Sequence, residues 1–208
     1  MAKTADGRQA APASTWRAAP MLRLLLLFSL IPLALALAAR WWFGERVLAG
    51  DGSRLCRCDL GGWLPPPGDT AMVHRAEESA GEFGRQLRLK ALAEWRQRDP
   101  KATASRDKSQ RFGAAVPPLS GVVAVLAVIV GKIPVLGAIA ILLGATALAA
   151  VTGLLALAPE LAAIVRTARQ VREQHQFPRR DDEDAVIRCA MAHAWNAALP
   201  PILRWLVG

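Results

Sequence analysis

Residues 114–160 read AAVPPLSGVVAVLAVIVGKIPVLGAIAILLGATALAAVTGLLALAPE, and this stretch decides the fold of the chain. Residues 121–131 and 135–157 carry no charge, and only Gly131-Lys132-Ile133-Pro134 separates them. A helix needs about 20 apolar residues to cross the hydrocarbon of a bilayer. Residues 114–131 supply 18 and residues 135–157 supply 23, so each half is long enough to cross once. The pattern predicts a transmembrane helical hairpin of residues 114–131 and 135–158. Gly131 and Pro134 break the helix at its turn, and Lys132 sits among headgroups. Gly137, Ala140, Gly144, Ala145, Ala147, Ala149 and Gly153 permit the close backbone approach that drives helix association in lipid. A buried hairpin in a soluble protein is disfavoured, because neither run has a polar face to turn to water.

The remainder of the 208 residues holds no soluble part longer than about 75 residues, too short for a large water-soluble enzyme core. The net charge of +9 is spread along the chain without a nucleic-acid-binding motif, which speaks against nucleic acid as a partner. Topology accounts for the excess, because Lys and Arg accumulate on the cytoplasmic side of membrane helices. Cys56-Arg57-Cys58 is too short for the usual C-x2-C knuckle and has no second pair downstream. Free thiols in a reducing compartment follow.

Outward from the hairpin, residues 1–20 are rich in Ala, Pro, Ser and Thr and are expected to be disordered. Residues 21–43 form a first span with Arg23 at its entrance and Arg40, Trp41, Trp42 and Phe43 at an interfacial exit. The rival reading is a signal peptide with Ala36-Leu37-Ala38 as its cleavage site. Cleavage would export residues 40–113, which hold 14 Lys/Arg against 10 Asp/Glu, so an uncleaved anchor with its N-terminus outside is favoured. Lys3, Arg8, Arg17 and Arg23 oppose that export. Arg106, Lys108 and Arg111 before the hairpin and Arg166, Arg169 and Arg172 after it place both flanks in the cytoplasm.

Within residues 44–113, the Gly- and Pro-rich stretch 50–69 reads as loop. Asp69 is placed to cap a helix beginning at Thr70, with Ala76, Ala80, Phe83, Leu87 and Ala91 as its apolar stripe. Asp99 and Pro100 end it and open another helix that runs to about Phe112. After the hairpin comes an amphipathic helix over 160–174, a charged turn over 176–184, and an element over 185–207. Arg188, His193, Asn196 and Arg204 make this last element a packed or interfacial helix in preference to a fourth span. The fold class is all-α, an integral-membrane helical bundle with amphipathic cytoplasmic helices.

This layout resembles the bacterial membrane-bound neutral zinc metallopeptidases of the YugP-like family. Ala115-Val116-Pro117-Pro118-Leu119 resembles the family's V-P entry to its hairpin. Leu157-Ala158-Pro159-Glu160-Leu161 resembles its L-P-V-E-F exit with Pro and Glu closer by one, and residues 182–195 resemble its closing helix. The resemblance covers roughly residues 114–208 and implies a zinc peptidase fold. The H-E-x-x-H signature, two metal-binding His with a Glu base between them, is missing. Its nearest counterpart runs from His74 to Glu78, with Arg75 where the base should be, and a cation cannot accept a proton from water. The weak metal candidates are therefore His74 and Glu78 on one helix face, with Glu160 as a third ligand implied by the resemblance. No catalytic or cofactor-binding residue is assigned and no cofactor is expected.

Cys189 and His193, four apart, formally resemble a thiol and its base but fit an inert packed pair better. Glu160 at the membrane edge invites pairing with an Arg such as Arg166 or Arg188. The expected function is that of a small, non-catalytic bacterial inner-membrane protein on a degenerate metallopeptidase-like scaffold. Its partners are the lipid bilayer and a membrane-protein partner or a second copy of itself. The alternatives are a zinc metallopeptidase with atypical ligands and a pore-forming or holin-like hairpin.

Overall fold

The computed structural model describes residues 15–59 and 75–203. The disorder expected up to residue 14, the loop over 60–69, the helix start at Thr70 and His74 lie outside the described residues. The chain is mostly helical. In order it forms α1 (Thr15–Arg40), a π-helical turn (Trp41–Glu45), α2 (Arg46–Asp51), β1 (Leu55–Arg57) and β2 (Glu77–Ser79). There follow α3 (Ala80–Arg98), α4 (Pro100–Ile129), α5 (Val135–Glu173) and α6 (Arg180–Ala198). Three helices are long and apolar enough to cross a membrane: the first, which continues to Asp51, then α4 and α5.

Five boundaries differ from the sequence expectation, and the first is the stretch 50–69 read as loop: α2 runs on to Asp51 and residues 55–57 form β1. Residues 15–20 are helical backbone, not part of a disordered tail. α3 begins at Ala80, because Ser79 caps it by accepting from the Glu82 backbone N–H at 3.2 Å. Ser79 and Glu82 have the spacing of a capping box. Residues 77–79 are then released to pair with β1 in the register Leu55↔Ser79, Cys56↔Glu78, Arg57↔Glu77, so the chain is not purely helical. α4 does not stop near Phe112. It runs unbroken through Pro117 and Pro118, opened by Asp99, whose side chain accepts from the Ala102 N–H at 3.0 Å. α6 starts five residues before Ala185, and Asp181, Asp182 and Glu183 in its first turn complement the helix dipole.

The turn between α4 and α5 closes on a Schellman pattern. The Lys132 N–H reaches the Ala127 carbonyl and the Gly131 N–H reaches that of Val128, both at 2.9 Å. Gly131 holds φ +72°, where a Cβ collides with the following carbonyl. Gly131→Ala is expected to lower stability by about 1–2 kcal/mol. Thermal unfolding of the purified protein followed by Trp fluorescence reads this out, and an unchanged midpoint would contradict it.

α1 and α5 run parallel. Ser29 lies beside Gly144, and further along, Leu33 and Ala36 pack with Ala147, Ala150, Leu199 and Leu203. The N-terminal end of α1 and the turn at Gly131 are therefore at one end of the molecule, and β1, β2, α3 and most of α6 form a head at the other. Away from the head, Leu27, Phe28, Ile31 and Leu35 of α1, Val122, Val123, Leu126 and Ile129 of α4, and Val135, Leu136 and Ile139 of α5 are all exposed. Inside the head, Phe83, Leu87, Ile164, Val171, Val186 and Phe177 form a separate core, with Phe83 and Phe177 edge to face at 5.6 Å. Trp41, Trp42 and Phe43 lie exposed at one side of the border between the two halves. The Arg46 guanidinium lies 4.4 Å above the Trp42 ring, and Phe43 stacks on Trp195 at 5.1 Å.

Candidate functional site

The polar centre of the head is built on Glu160, which follows Pro159 where α5 enters it. Its side chain is 4% exposed, and each carboxylate oxygen accepts from a different guanidinium. Arg88 Nε of α3 donates to Oε1 at 2.7 Å, and Arg106 Nε of α4 donates to Oε2 at 2.6 Å. Arg106 donates onward to Asp107 at 3.2 Å, whose other oxygen accepts from Arg96 at 3.3 Å. A second tie between α5 and α3 runs from the Thr167 hydroxyl to Glu94 at 2.7 Å. Three helices are thus pinned together by one buried carboxylate.

Glu160 pairs with neither Arg166 nor Arg188. Arg166 is exposed, and Arg188 donates to Asp51 of α2 at 2.7 Å. The partners it does choose lie 72 and 54 residues away, beyond any local pattern. One trace was in the sequence. Arg106 falls on the helical stripe of Thr103, Gly113 and Pro117, the positions α4 buries, and a cation on a buried stripe demands a counter-charge.

The metal candidates are not assembled as a shared helix face. Glu78 is on β2, not on a helix; its Oε1 accepts from the Ser79 N–H at 3.2 Å and Arg75 stands 3.9 Å away. Glu160 has both oxygens held by guanidiniums, so ligating zinc would mean surrendering two charge-assisted hydrogen bonds. His74 is outside the described residues. Among the described residues no group of three or more His, Cys, Asp or Glu stands close enough to hold a metal ion.

The three cysteines are free thiols, and all are buried in the head core. The C-x-C spacing has a structural meaning: positions two apart on extended backbone face the same side, so Cys56 in β1 and Cys58 just past its end both turn inward while Leu55 and Arg57 face out. Burial pushes the Cys56 thiol up to about 11, with Asp182 adding to it, and the Cys58 thiol up to about 12, with Asp59 adding to it. Cys189 rises to about 11, first through burial and then through Asp51. His193 is no base for it: its Nε2 is bonded to the Gly81 carbonyl at 2.9 Å, and burial lowers its pKa.

These thiols are expected to resist alkylation. A thiol at about 11 is ionised in roughly one molecule in a thousand at pH 8. Iodoacetamide should therefore label the folded chain on the order of a hundredfold more slowly than the denatured chain. Mass spectrometry of modified peptides measures the ratio, and equal rates would contradict the burial. The linkage has a definite sign. These raised pKa values favour the protonated, folded form below the ordinary thiol value of 9.0, and that stability is lost as pH rises towards 11 and 12.

Comparison with protein-family models, curated proteins and solved structures finds no match to this chain.

Proposed function

We propose that the chain is a non-catalytic protein of the bacterial inner membrane, anchored by three spans, whose helical head engages a membrane-protein partner or a second copy of the chain. The observation that carries this reading is the apolar belt on α1, α4 and α5. Soluble monomers rarely expose contiguous apolar patches beyond a few hundred Å². Here Phe28 is 73% exposed, Ile129 74% and Val135 63%, on three neighbouring helices, and all lie away from the head. Lipid is the solvent that accepts such a surface, and the aromatic cluster of Trp41, Trp42 and Phe43 lies where headgroups would begin.

The non-catalytic part rests on how the reactive groups are spent. Glu160 serves as a three-helix pin, and the thiols are held protonated in the core. The head side carries Arg46, Lys108, Arg111, Arg166 and Arg169 against Lys132 at the turn, which favours a cytoplasmic head; Lys3, Arg8, Arg17 and Arg23, ahead of the apolar run of α1, pull the other way.

The test is a membrane preparation washed with alkaline carbonate, together with topology reporters inserted at the Gly131 turn and at Ser53. Retention in the pellet with the turn outside and Ser53 inside is the expected result. Release into the wash removes the membrane reading, and inverted reporters remove the topology. Stoichiometric zinc in the purified protein, lost with a peptidase activity on chelation, would overturn the non-catalytic reading.

A further inference from the structure

Where α4 passes from its charged half to its apolar half, a cavity of about 470 Å³ opens between α4, α5 and the end of α6. Arg88, Asp107 and Arg111 stand on its polar wall, and Gly113, Ala149 and Gly153 on its apolar one. Small residues keep it open. A Cβ at Gly113 would meet only the Ala149 carbonyl at 3.9 Å and the Pro200 ring at 4.0 Å, so a larger side chain there would grow into the space. The volume corresponds to on the order of fifteen waters, more than a small inorganic anion requires.

Its electrostatics favour an anion. Four guanidiniums, those of Arg88, Arg96, Arg106 and Arg111, surround two carboxylates, Asp107 and Glu160, and leave two positive charges over. Asp107 is already held by Arg96 and Arg106, and Arg111 makes no ion pair among the described residues. Immediately beyond the cavity, Leu119, Val122 and Val123 of α4 and Leu148 of α5 are exposed, a surface that acyl chains would cover. Basic pockets between helices at the cytoplasmic edge of a membrane recognise anionic lipid headgroups.

We propose that this cavity binds the phosphate of an anionic phospholipid, with Arg111 and the free guanidinium nitrogens of Arg88 as its donors. The lipid tails run down the exposed faces of α4 and α5. This inference rests on the membrane reading above.

The experiment reconstitutes the full chain in nanodiscs of mixed phosphatidylglycerol and phosphatidylcholine, with insertion confirmed beforehand by resistance to carbonate extraction. Native mass spectrometry after release into detergent then counts the retained lipids. Wild-type protein is expected to retain phosphatidylglycerol over phosphatidylcholine by about fivefold, the effect of roughly one guanidinium. Arg111→Gln and Gly113→Leu should each lose that preference, whereas Arg98→Gln, at the exposed far end of α3, should keep it. Arg111 is exposed, so its variant has no reason to misfold. Equal retention of the two lipids by wild type, an undiminished preference in Arg111→Gln, or displacement of the lipid by millimolar inorganic phosphate would each overturn the site. Failure to insert would overturn the membrane reading and the site together; insertion without preference would overturn the site alone.

Discussion

Glu160→Gln is expected to destabilise the head by about 3–5 kcal/mol, the cost of leaving buried charges without their counter-ion. The amide cannot neutralise either guanidinium, and one of its two positions presents N–H groups to a donor. Arg106 is 8% exposed and does not reach water without moving its helix, while Arg88, 15% exposed, keeps contact with solvent only through the cavity beside it. Thermal unfolding read by Trp fluorescence, in one detergent for all variants, measures the loss. A companion variant separates the charge from the shape. Replacing Arg88 and Glu160 with Met and Arg106 with Leu together removes all three charges and should recover most of the stability, because a buried ion triad contributes little over apolar groups of similar volume. If Glu160→Gln melts like wild type, the carboxylate is not the pin that joins α3, α4 and α5. If the apolar triple variant is no better than the single one, the cluster contributes something other than charge balance.

The sequence carried the hairpin plainly, because composition alone reports an uncharged run longer than a bilayer is thick. The Schellman turn was equally legible in Gly131 followed by Pro134. Less visible was everything decided by pairing at a distance. The capping box at Ser79 and Glu82 was present to be read, but the apolar stripe from Ala76 to Ala91 continues smoothly through it and disguised residues 77–79 as helix. Their strand partner sits some twenty residues upstream, and nothing in a run of Glu77-Glu78-Ser79 announces a strand. Cys56 and Cys58 have a spacing that invites comparison with metal ligands, whereas the same interval of two is the period of a strand with one buried face. Glu160 stands out in the sequence as the acidic residue that closes the long uncharged run. Its true partners were out of reach because helix packing, not sequence proximity, chose them.

Gly84→Val is expected to cost about 3 kcal/mol or more, and Gly84→Ala about 1–3 kcal/mol, because α3 crosses α6 with almost no gap at this residue. A Cβ at Gly84 would stand 2.6 Å from the Cys189 Cβ, 2.8 Å from the Ala190 backbone nitrogen and 2.9 Å from the Cys189 carbonyl carbon. Two of those three neighbours are backbone, so trimming Cys189 to Gly should not rescue Gly84→Ala; only a shift of the whole of α6 could. That shift is opposed on three sides. Arg188 is tied to Asp51, Glu183 to Arg172, and the last turn of α6 is pressed against Gly153. Helix propensity acts the other way, since Ala is favoured over Gly in a helix by about 1 kcal/mol. Gly50→Ala isolates that opposing term, because a Cβ there meets nothing within 4 Å, and it should leave the protein as stable as wild type or slightly more so. Unfolding midpoints of the three variants decide the matter: Gly84→Ala as stable as Gly50→Ala would show that α3 and α6 are free to separate, and the head would then be a loose assembly rather than one core.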